Sequence, residues 1–371
     1  MIERATTTVA TATIDLLNLN SAQLREFLAA RGEPEFRVAQ IERWLYRDYV
    51  THFDAMNNLP ADLRDWLRER AMIGVPKELN EITSADGLTR KALLQLEDGQ
   101  TVEAVLMLYD DAPQRDESAT RLYKRRTICI STQVGCPIKC PFCATGQAGY
   151  IRNLTPGEIV AQVLHYARIA EPLTNVVIMG MGEPFIKFDV TWQAIETLTD
   201  PKRFALGARR ITVSTSGEIP GIEQMARKSL QVNLAVSLHA PDDALRDVLV
   251  PLNRKYPLKD LMGAIQKYIE KTRRRVSFEY ALMDNVNDQP EQARALAQML
   301  KGLLCHVNLI PLNPTAQSPY GRTPYNRVKE FQSILQDAGI TTTLRVEKGI
   351  EIAAGCGQLR QAKSEQILVR A

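Results

Sequence analysis

Three cysteines fall within eight residues of one another in Cys136-Pro-Ile-Lys-Cys140-Pro-Phe-Cys143, half of the six in the chain. Thiolates that converge on one point hold soft metal centres, and a loop braced by two prolines and Gly135 can keep them there. Zinc is one occupant to weigh. A closed zinc site takes a fourth Cys or His, and none follows at finger-like spacing. The four histidines, His52, His165, His239 and His306, form no paired ligand motif. Three ligands suit a [4Fe–4S] cluster that leaves one iron open.

The other cysteines differ in their surroundings. Cys305 opens an apolar run, Cys305-His306-Val307, and reads as a small buried hydrophobe. Cys129, in Thr127-Ile128-Cys129-Ile130, is either inert or, by strand alternation with Thr127 and Ser131, faces inward. Cys356 sits among small residues, Ala353-Ala354-Gly355-Cys356-Gly357, as in a mobile or closely approached loop.

These residues need a frame. The 371 residues are 45% hydrophobic and 24% charged, ordinary for a globular chain with a real core. The net charge of +3 excludes a global field for polyanions, so any such contact rests on local clusters. No apolar run suggests a membrane span, and the N-terminus lacks the order of a secretory signal, so a cytoplasmic location is expected. Helical periodicity runs from Ile14 to about Arg70, with Ser21 as a cap and Pro60 opening a third helix. Lys91–Leu96 and Thr101–Tyr109 flank Glu97-Asp98-Gly99-Gln100 as a hairpin. Asp110–Arg121 reads as an exposed connector. Strand patterns then cover Thr127–Ser131, Asn175–Met179, Arg210–Ser214, Val232–Leu238, Val276–Leu282 and Val307–Leu312. Helical patterns separate them at 156–170, 190–199, 219–228, 258–272 and 289–303, with another at 325–338. This alternation predicts an α/β fold, a parallel sheet with helices outside, open or curled into a partial barrel. Chemistry then gathers at the C-terminal strand ends. The expected units are a helical accessory domain (1–78), a hairpin and connector (79–122) and a core (123–371).

Ser131-Thr-Gln-Val-Gly-Cys136, Phe142-Cys143-Ala-Thr-Gly146 and Arg152-Asn-Leu-Thr155 resemble the RlmN/Cfr family of radical S-adenosylmethionine (SAM) RNA methyltransferases. So do Met179-Gly-Met-Gly-Glu-Pro184, Val213-Ser-Thr-Ser-Gly217, Ala235-Val-Ser-Leu-His-Ala240, Asn308-Leu-Ile-Pro-Leu-Asn-Pro314 and Cys356-Gly-Gln-Leu359. With Phe36-Arg37, Gln40 and Trp44, the likeness spans nearly the whole chain. It implies a radical SAM partial (β/α)6 barrel, a [4Fe–4S] cluster on Cys136, Cys140 and Cys143, and two SAM molecules per turnover. SAM contacts are implied at Gly182, Glu183, Ser214, Ser237, Leu238, His239 and Asn313, with the Glu183 carboxylate accepting from the SAM ammonium group.

The resemblance also implies that Cys356 is first methylated on sulfur. A hydrogen is then abstracted from that methyl group by the radical cut from a second SAM. The methylene radical adds to the base, and Cys129 resolves the resulting protein–RNA thioether, leaving a disulfide. Glu103 is the implied proton acceptor; on a strand it shares a face with Val105, Met107 and Tyr109, where burial would raise its pKa. Its other reading is an edge-strand carboxylate in water. The implied product is adenosine methylated at carbon 2, in 23S ribosomal RNA at adenosine 2503 and in transfer RNA at adenosine 37. A flavodoxin-like electron donor and a monomeric enzyme are implied as well.

Phosphate contacts are expected from Arg152 and from Arg37, Arg43 and Arg47 rather than from the basic runs before strands. Two departures from the family pattern stand out: Lys348-Gly349-Ile-Glu351-Ile352 replaces Arg-Gly-x-Asp-Ile, and Gly355 replaces a more usual alanine. The competing readings are carbon-8 methylation, another radical SAM reaction, or a zinc-stabilised RNA-binding module without catalysis.

Overall fold

Leu24 and Leu28 on α1 (Ser21–Ala29), Ile41 and Leu45 on α2 (Phe36–Tyr46), and Leu63 and Leu67 on α3 (Ala61–Arg70) recur four residues apart. Each is at most 1% exposed, so one stripe per helix builds the N-terminal core. A two-residue parallel pair, β1 (Ile14–Asp15) with β2 (Ala71–Met72), closes this unit. The cap of α1 lies one residue earlier than expected. The Asn20 side chain accepts the Gln23 N–H at 2.9 Å, and the Gln23 side chain accepts the Asn20 N–H in return. Ser21 Oγ instead donates to Glu42 at 2.6 Å.

The computed structural model describes residues 13–109, 125–170, 172–315, 317–345 and 348–360. The expected loose segment 1–12 and the connector Asp110–Arg121 lie outside them.

Three antiparallel strands follow the helices: β3 (Lys77–Thr83), β4 (Thr89–Gln95) and β5 (Thr101–Tyr109). Gly99, at φ +82°, gives the β4–β5 turn the left-handed backbone that the Asp-Gly signal anticipates. β5 pairs antiparallel with β6 (Arg125–Cys129). The chain then makes a short pair, β7 (Gln133–Gly135) with β8 (Tyr150–Asn153), around the three cysteines and the brief helix α4 (Ala144–Ala148). From there, strands and helices alternate: α5 (Pro156–Ala167), β9 (Asn175–Ile178), α6 (Phe188–Thr199), β10 (Ile211–Thr215), α7 (Ile219–Met225), β11 (Asn233–Ser237), α8 (Asp243–Leu249), α9 (Leu258–Thr272), β12 (Val276–Leu282), α10 (Pro290–Leu300), β13 (Cys305–Pro311), α11 (Tyr325–Asp337) and β14 (Thr342–Leu344). All six expected strands are present, and β14 extends the sheet past them.

The sheet order is β14-β13-β12-β11-β10-β9-β6-β5-β4-β3, parallel from β14 to β6 and antiparallel beyond. Lys348, just after β14, brings Nζ within 5.1 Å of the Tyr109 ring on β5. Seven strand spacings separate β14 from β5, about 34 Å in a flat sheet. The sheet therefore curls into a partial barrel, as the alternation and the resemblance led us to expect.

The helical unit docks on α5 and α6. Glu42 accepts from Arg203 Nε at 2.9 Å, with both side chains at most 3% exposed. Asn18 Oδ1 accepts the Gly157 N–H at 2.8 Å. A buried ion pair adds little net stability, but losing one partner strands the other charge, at about 3–5 kcal/mol. The joint therefore tolerates little sliding. No helix among the described residues is long and apolar enough to cross a membrane.

Candidate active site

The interior at the C-terminal strand ends holds a cavity of about 180 Å³. Cys129, Cys136, Cys140, Cys143, Gly182, Glu183, Ser214, Ser237, His239, Asn313 and Cys356 all line it. Residues more than 200 positions apart are thus gathered at one point. Two of the expected site residues are not in the lining. Leu238 is fully buried in the core; its N–H donates to the Glu279 carbonyl, and its own carbonyl accepts from Arg246. Glu103, on the same face of β5 as the lining residues Met107 and Tyr109, is 8% exposed and is not among the lining residues.

The metal-binding potential rests on the three cysteines of the β7–α4 loop, none of them in a disulfide. Burial, with the added charge of Cys143 and Glu183, pushes the Cys136 thiol up to about 12, and burial beside Cys143 and Cys136 raises Cys140 well above its ordinary value. A bound cationic centre removes that penalty by taking the place of the protons. Among the described residues, the one trio of possible ligand atoms all within 4.8 Å of one another is Glu78, Glu81 and His165. The cysteine sulfurs are spread wider. Two thiolates on one tetrahedral zinc stand only about 3.8 Å apart, given a Zn–S bond of about 2.3 Å. The wider spread leaves room for a polynuclear cluster.

Around the cavity, local structure fixes each polar group. Glu183, expected to meet a ligand ammonium, already accepts from Thr215 Oγ1 (2.8 Å), the Ser216 N–H (2.6 Å) and the Phe185 N–H (3.1 Å). It ties the β9 loop to the end of β10, and burial raises its pKa against those hydrogen bonds. Gly182 holds φ +108°, and a Cβ there would lie 2.7 Å from Gln133. Ser214 and Ser237, on neighbouring strands, bring their hydroxyls to 3.4 Å. His239, at φ +61°, accepts the Ala281 N–H on Nδ1 at 3.0 Å. The proton of its neutral ring therefore sits on Nε2. Burial, reinforced by Arg246, lowers its pKa to about 3, so the ring stays neutral.

The Cys356 loop is seated on the cysteine loop. Gly357 O accepts the Ala144 N–H (2.7 Å), Leu359 O accepts from Thr145 Oγ1 (2.6 Å), and Gln358 bridges the Gly355 N–H to Pro314 O. A Cβ at Gly355 would come within 2.5 Å of Asn313 Nδ2 and 2.8 Å of Gln358 Oε1. The departure from alanine thus matches a close approach in this chain. Cys129, at the end of β6, is buried; its thiol is pushed up to about 12 by burial and by Cys356, with Arg345 opposing.

Several residues here were not anticipated. Arg345, Glu279, Tyr109 and Lys348 line the cavity. Arg246 is 1% exposed and donates to the carbonyls of Ser216, Ser237 and Leu238 and to Asn253, locking the ends of β10 and β11. Glu279 is a lone charge within the apolar run Val276–Leu282, and that placement could have flagged it; Arg246, next to Asp247, and Arg345 carry no such signal in the sequence. Of the expected phosphate contacts, Arg152 is spent on Glu158 and Asp98, and Arg37 on Glu33 and Gln40. Arg43 and Arg47 are exposed; Arg43 pairs with Asp48 at 3.4 Å, and Arg47 donates to the Pro201 carbonyl at 2.7 Å.

Residues 130–297 match the Radical SAM superfamily, and residues 14–73 match the ribosomal RNA large subunit methyltransferase N-terminal domain. A probable dual-specificity RNA methyltransferase RlmN from Chloroflexus aurantiacus is 50% identical over 93% of this chain and 92% of its own. The dual-specificity RNA methyltransferase RlmN of Halorhodospira halophila is 46% identical over 95% of this chain and 96% of its own. The crystal structure of a radical SAM methyltransferase from Sphaerobacter thermophilus superposes with a TM-score of 0.88 at 48% identity, over 94% of this chain and 99% of that one. Nearly full-length likeness at this level places the protein: this chain belongs to the RlmN family of radical SAM methyltransferases.

Proposed function

We propose that this enzyme methylates carbon 2 of adenosine in 23S ribosomal RNA, at adenosine 2503, and in transfer RNA, at adenosine 37. The observation that carries this reading is the convergence of all three loop cysteines with Cys129 and Cys356 on one cavity. Plain metal binding gives no reason for the last two to be there. The relatives' shared description as dual-specificity RNA methyltransferases supports both RNA substrates.

In this reading Cys136, Cys140 and Cys143 would hold a [4Fe–4S] cluster, which when bound would supply the electron that splits SAM. The chain supplies the rest. Ser214, Ser237, Asn313 and the Nε2–H of His239 offer hydrogen bonds to SAM, and Gly182, whose missing Cβ lets its loop close on Gln133, borders the same cavity. Leu238 and Glu183 act through backbone and loop geometry. Carbon 2 of adenine carries no lone pair, so direct displacement on SAM cannot methylate it. Cys356 instead receives a methyl group on sulfur and delivers its carbon to the base as a thioether. Cys129 attacks that sulfur, the carbon–sulfur bond breaks with its electron pair on the methylene carbon, that carbon takes up a proton to become the methyl group, and a Cys129–Cys356 disulfide remains. Glu103 takes the displaced ring proton. Two SAM molecules are consumed per turnover, and a flavodoxin-like donor provides electrons to a monomeric, cytoplasmic enzyme. Residues 1–78 form the RNA-binding accessory unit, 79–122 the hairpin and connector, and 123–371 the catalytic core.

Anaerobic purification tests the metal assignment. About four irons per chain and a visible charge-transfer band are expected, both lost in Cys140→Ala. A colourless protein with one zinc contradicts it.

A further inference from the structure

Glu103 and Cys356 stand apart in sequence, yet one buried lysine joins them. Lys91, on β4, is 8% exposed. Its Nζ lies 3.0 Å from Glu103 Oε1 and donates to the Ala353 carbonyl at 3.1 Å. The second Glu103 oxygen, Oε2, accepts the Arg360 N–H at 2.8 Å. Ala353 and Arg360 flank Cys356 on either side. The loop that carries the thiol is therefore gripped at both ends by a single ion pair reaching out of the hairpin.

We propose that Lys91 is a positioning residue that couples Glu103 to the Cys356 loop. The proposal rests on the reading of Glu103 and Cys356 given above and assigns Lys91 two tasks. The first is electrostatic. Glu103 is buried, which favours its neutral acid. The charged groups facing it are Lys91 from β4 and Arg360 from the C-terminal segment, and both oppose that shift, Lys91 the more strongly. With Lys91 present, Glu103 has a counter-charge for its carboxylate, the form that can accept a proton. The second task is mechanical. A carboxylate accepts from the Lys91 ammonium and the Arg360 amide more strongly than a neutral acid does. A proton taken up by Glu103 therefore weakens the hold on the Arg360 end directly, and on the Ala353 end by removing the carboxylate that keeps Lys91 in place. Proton uptake from the base and release of the Cys356 segment become one event.

The test uses cluster-loaded enzyme without SAM or RNA. Iodoacetamide labelling of Cys356 is followed by peptide mass spectrometry, and the Glu103 carboxyl by infrared difference spectroscopy at neutral pH. In Lys91→Met, Cys356 should be labelled roughly tenfold faster than in wild type, because the loop opens more often. A protonated-carboxyl band should appear in Lys91→Met and vanish in Lys91→Met/Glu103→Gln. Lys91→Arg, which keeps the charge, should restore slow labelling and remove the band. If Lys91→Met does not fold, Lys91→Gln carries the same two readouts. Wild-type labelling in the neutral variant, or no acid band, overturns the proposal. Neither readout requires methyl transfer. An enzyme that gives both but never methylates RNA refutes the functional reading alone, and one that methylates RNA without them refutes the positioning role alone.

Discussion

Replacing Cys129 with alanine separates a packing role from a chemical one. The residue is 8% exposed at the end of β6 and borders the same cavity as Cys356. Lost packing alone costs about 1–3 kcal/mol against a typical total of about 5–15 kcal/mol, so the variant folds and binds its cluster. A packing role therefore leaves turnover near normal. As the resolving nucleophile, by contrast, Cys129 is needed only after the methylene carbon has joined the base. Methyl loading of Cys356 and attack on RNA proceed without it, and the reaction halts at the thioether. Cys129→Ala should thus accumulate covalently joined to RNA, seen as a nuclease-sensitive upward shift on a denaturing gel. Cys356→Ala should show neither adduct nor methylation. In the resting enzyme, a Cys129 thiol raised to about 12 is thiolate for only about one molecule in ten thousand at pH 8. It should resist iodoacetamide while the more accessible Cys356 reacts. Free methylated RNA produced at the normal rate by Cys129→Ala would refute the two-cysteine mechanism and return the residue to the core.

Gly355→Ala forces a methyl group against Asn313 and Gln358, an overpacking cost of about 1–3 kcal/mol borne by the Cys356 loop. Hydrogen exchange across residues 349–360 should speed up and SAM affinity should fall; unchanged exchange contradicts the close approach. Stability of the cluster-free protein should decline on acidification. His239 is held near 3 in the fold, whereas the unfolded chain protonates near 6.5, so its contribution is full above about 6.5 and is lost as the pH falls toward 3. Urea titrations of His239→Gln should show a shallower decline over that window, and an identical slope would rule the ring out as its source.

Periodicity made most of this architecture readable. The six expected strands are runs of Val, Ile and Leu that end where the chemistry begins, and strict alternation put Cys129 on the inner face. The elements that escaped notice lack such a signal. β3, Lys-Glu-Leu-Asn-Glu-Ile-Thr, is an edge strand with no fully buried residue, and β14 is three residues long. The cysteine loop and Cys356 were visible because thiols at fixed spacing, or glycines around a thiol, are uncommon. Arg246 and Arg345 were not, because a lone arginine acquires meaning only when the fold closes around it. Lys91 and Glu103 occupied an intermediate position. Lys91 pairs with Val105, and Glu103 with Leu93, so the two charges meet diagonally across the hairpin, a relation recoverable once its register is known. Arg152 shows the converse: a basic residue beside the cysteine loop reads as open to phosphate, and in the fold it is paired with Glu158 and Asp98.

In the proposed reaction, Cys356 delivers a methyl carbon to carbon 2 of adenosine. This delivery is tested most directly by incubating cluster-loaded enzyme with unmodified ribosomal and transfer RNA, a reductant and SAM labelled in its methyl group, then analysing the digested nucleosides by mass spectrometry. Labelled 2-methyladenosine is expected from both RNAs, and none with Cys356→Ala. Label at carbon 8, or label at carbon 2 that persists in Cys356→Ala, would contradict that reaction.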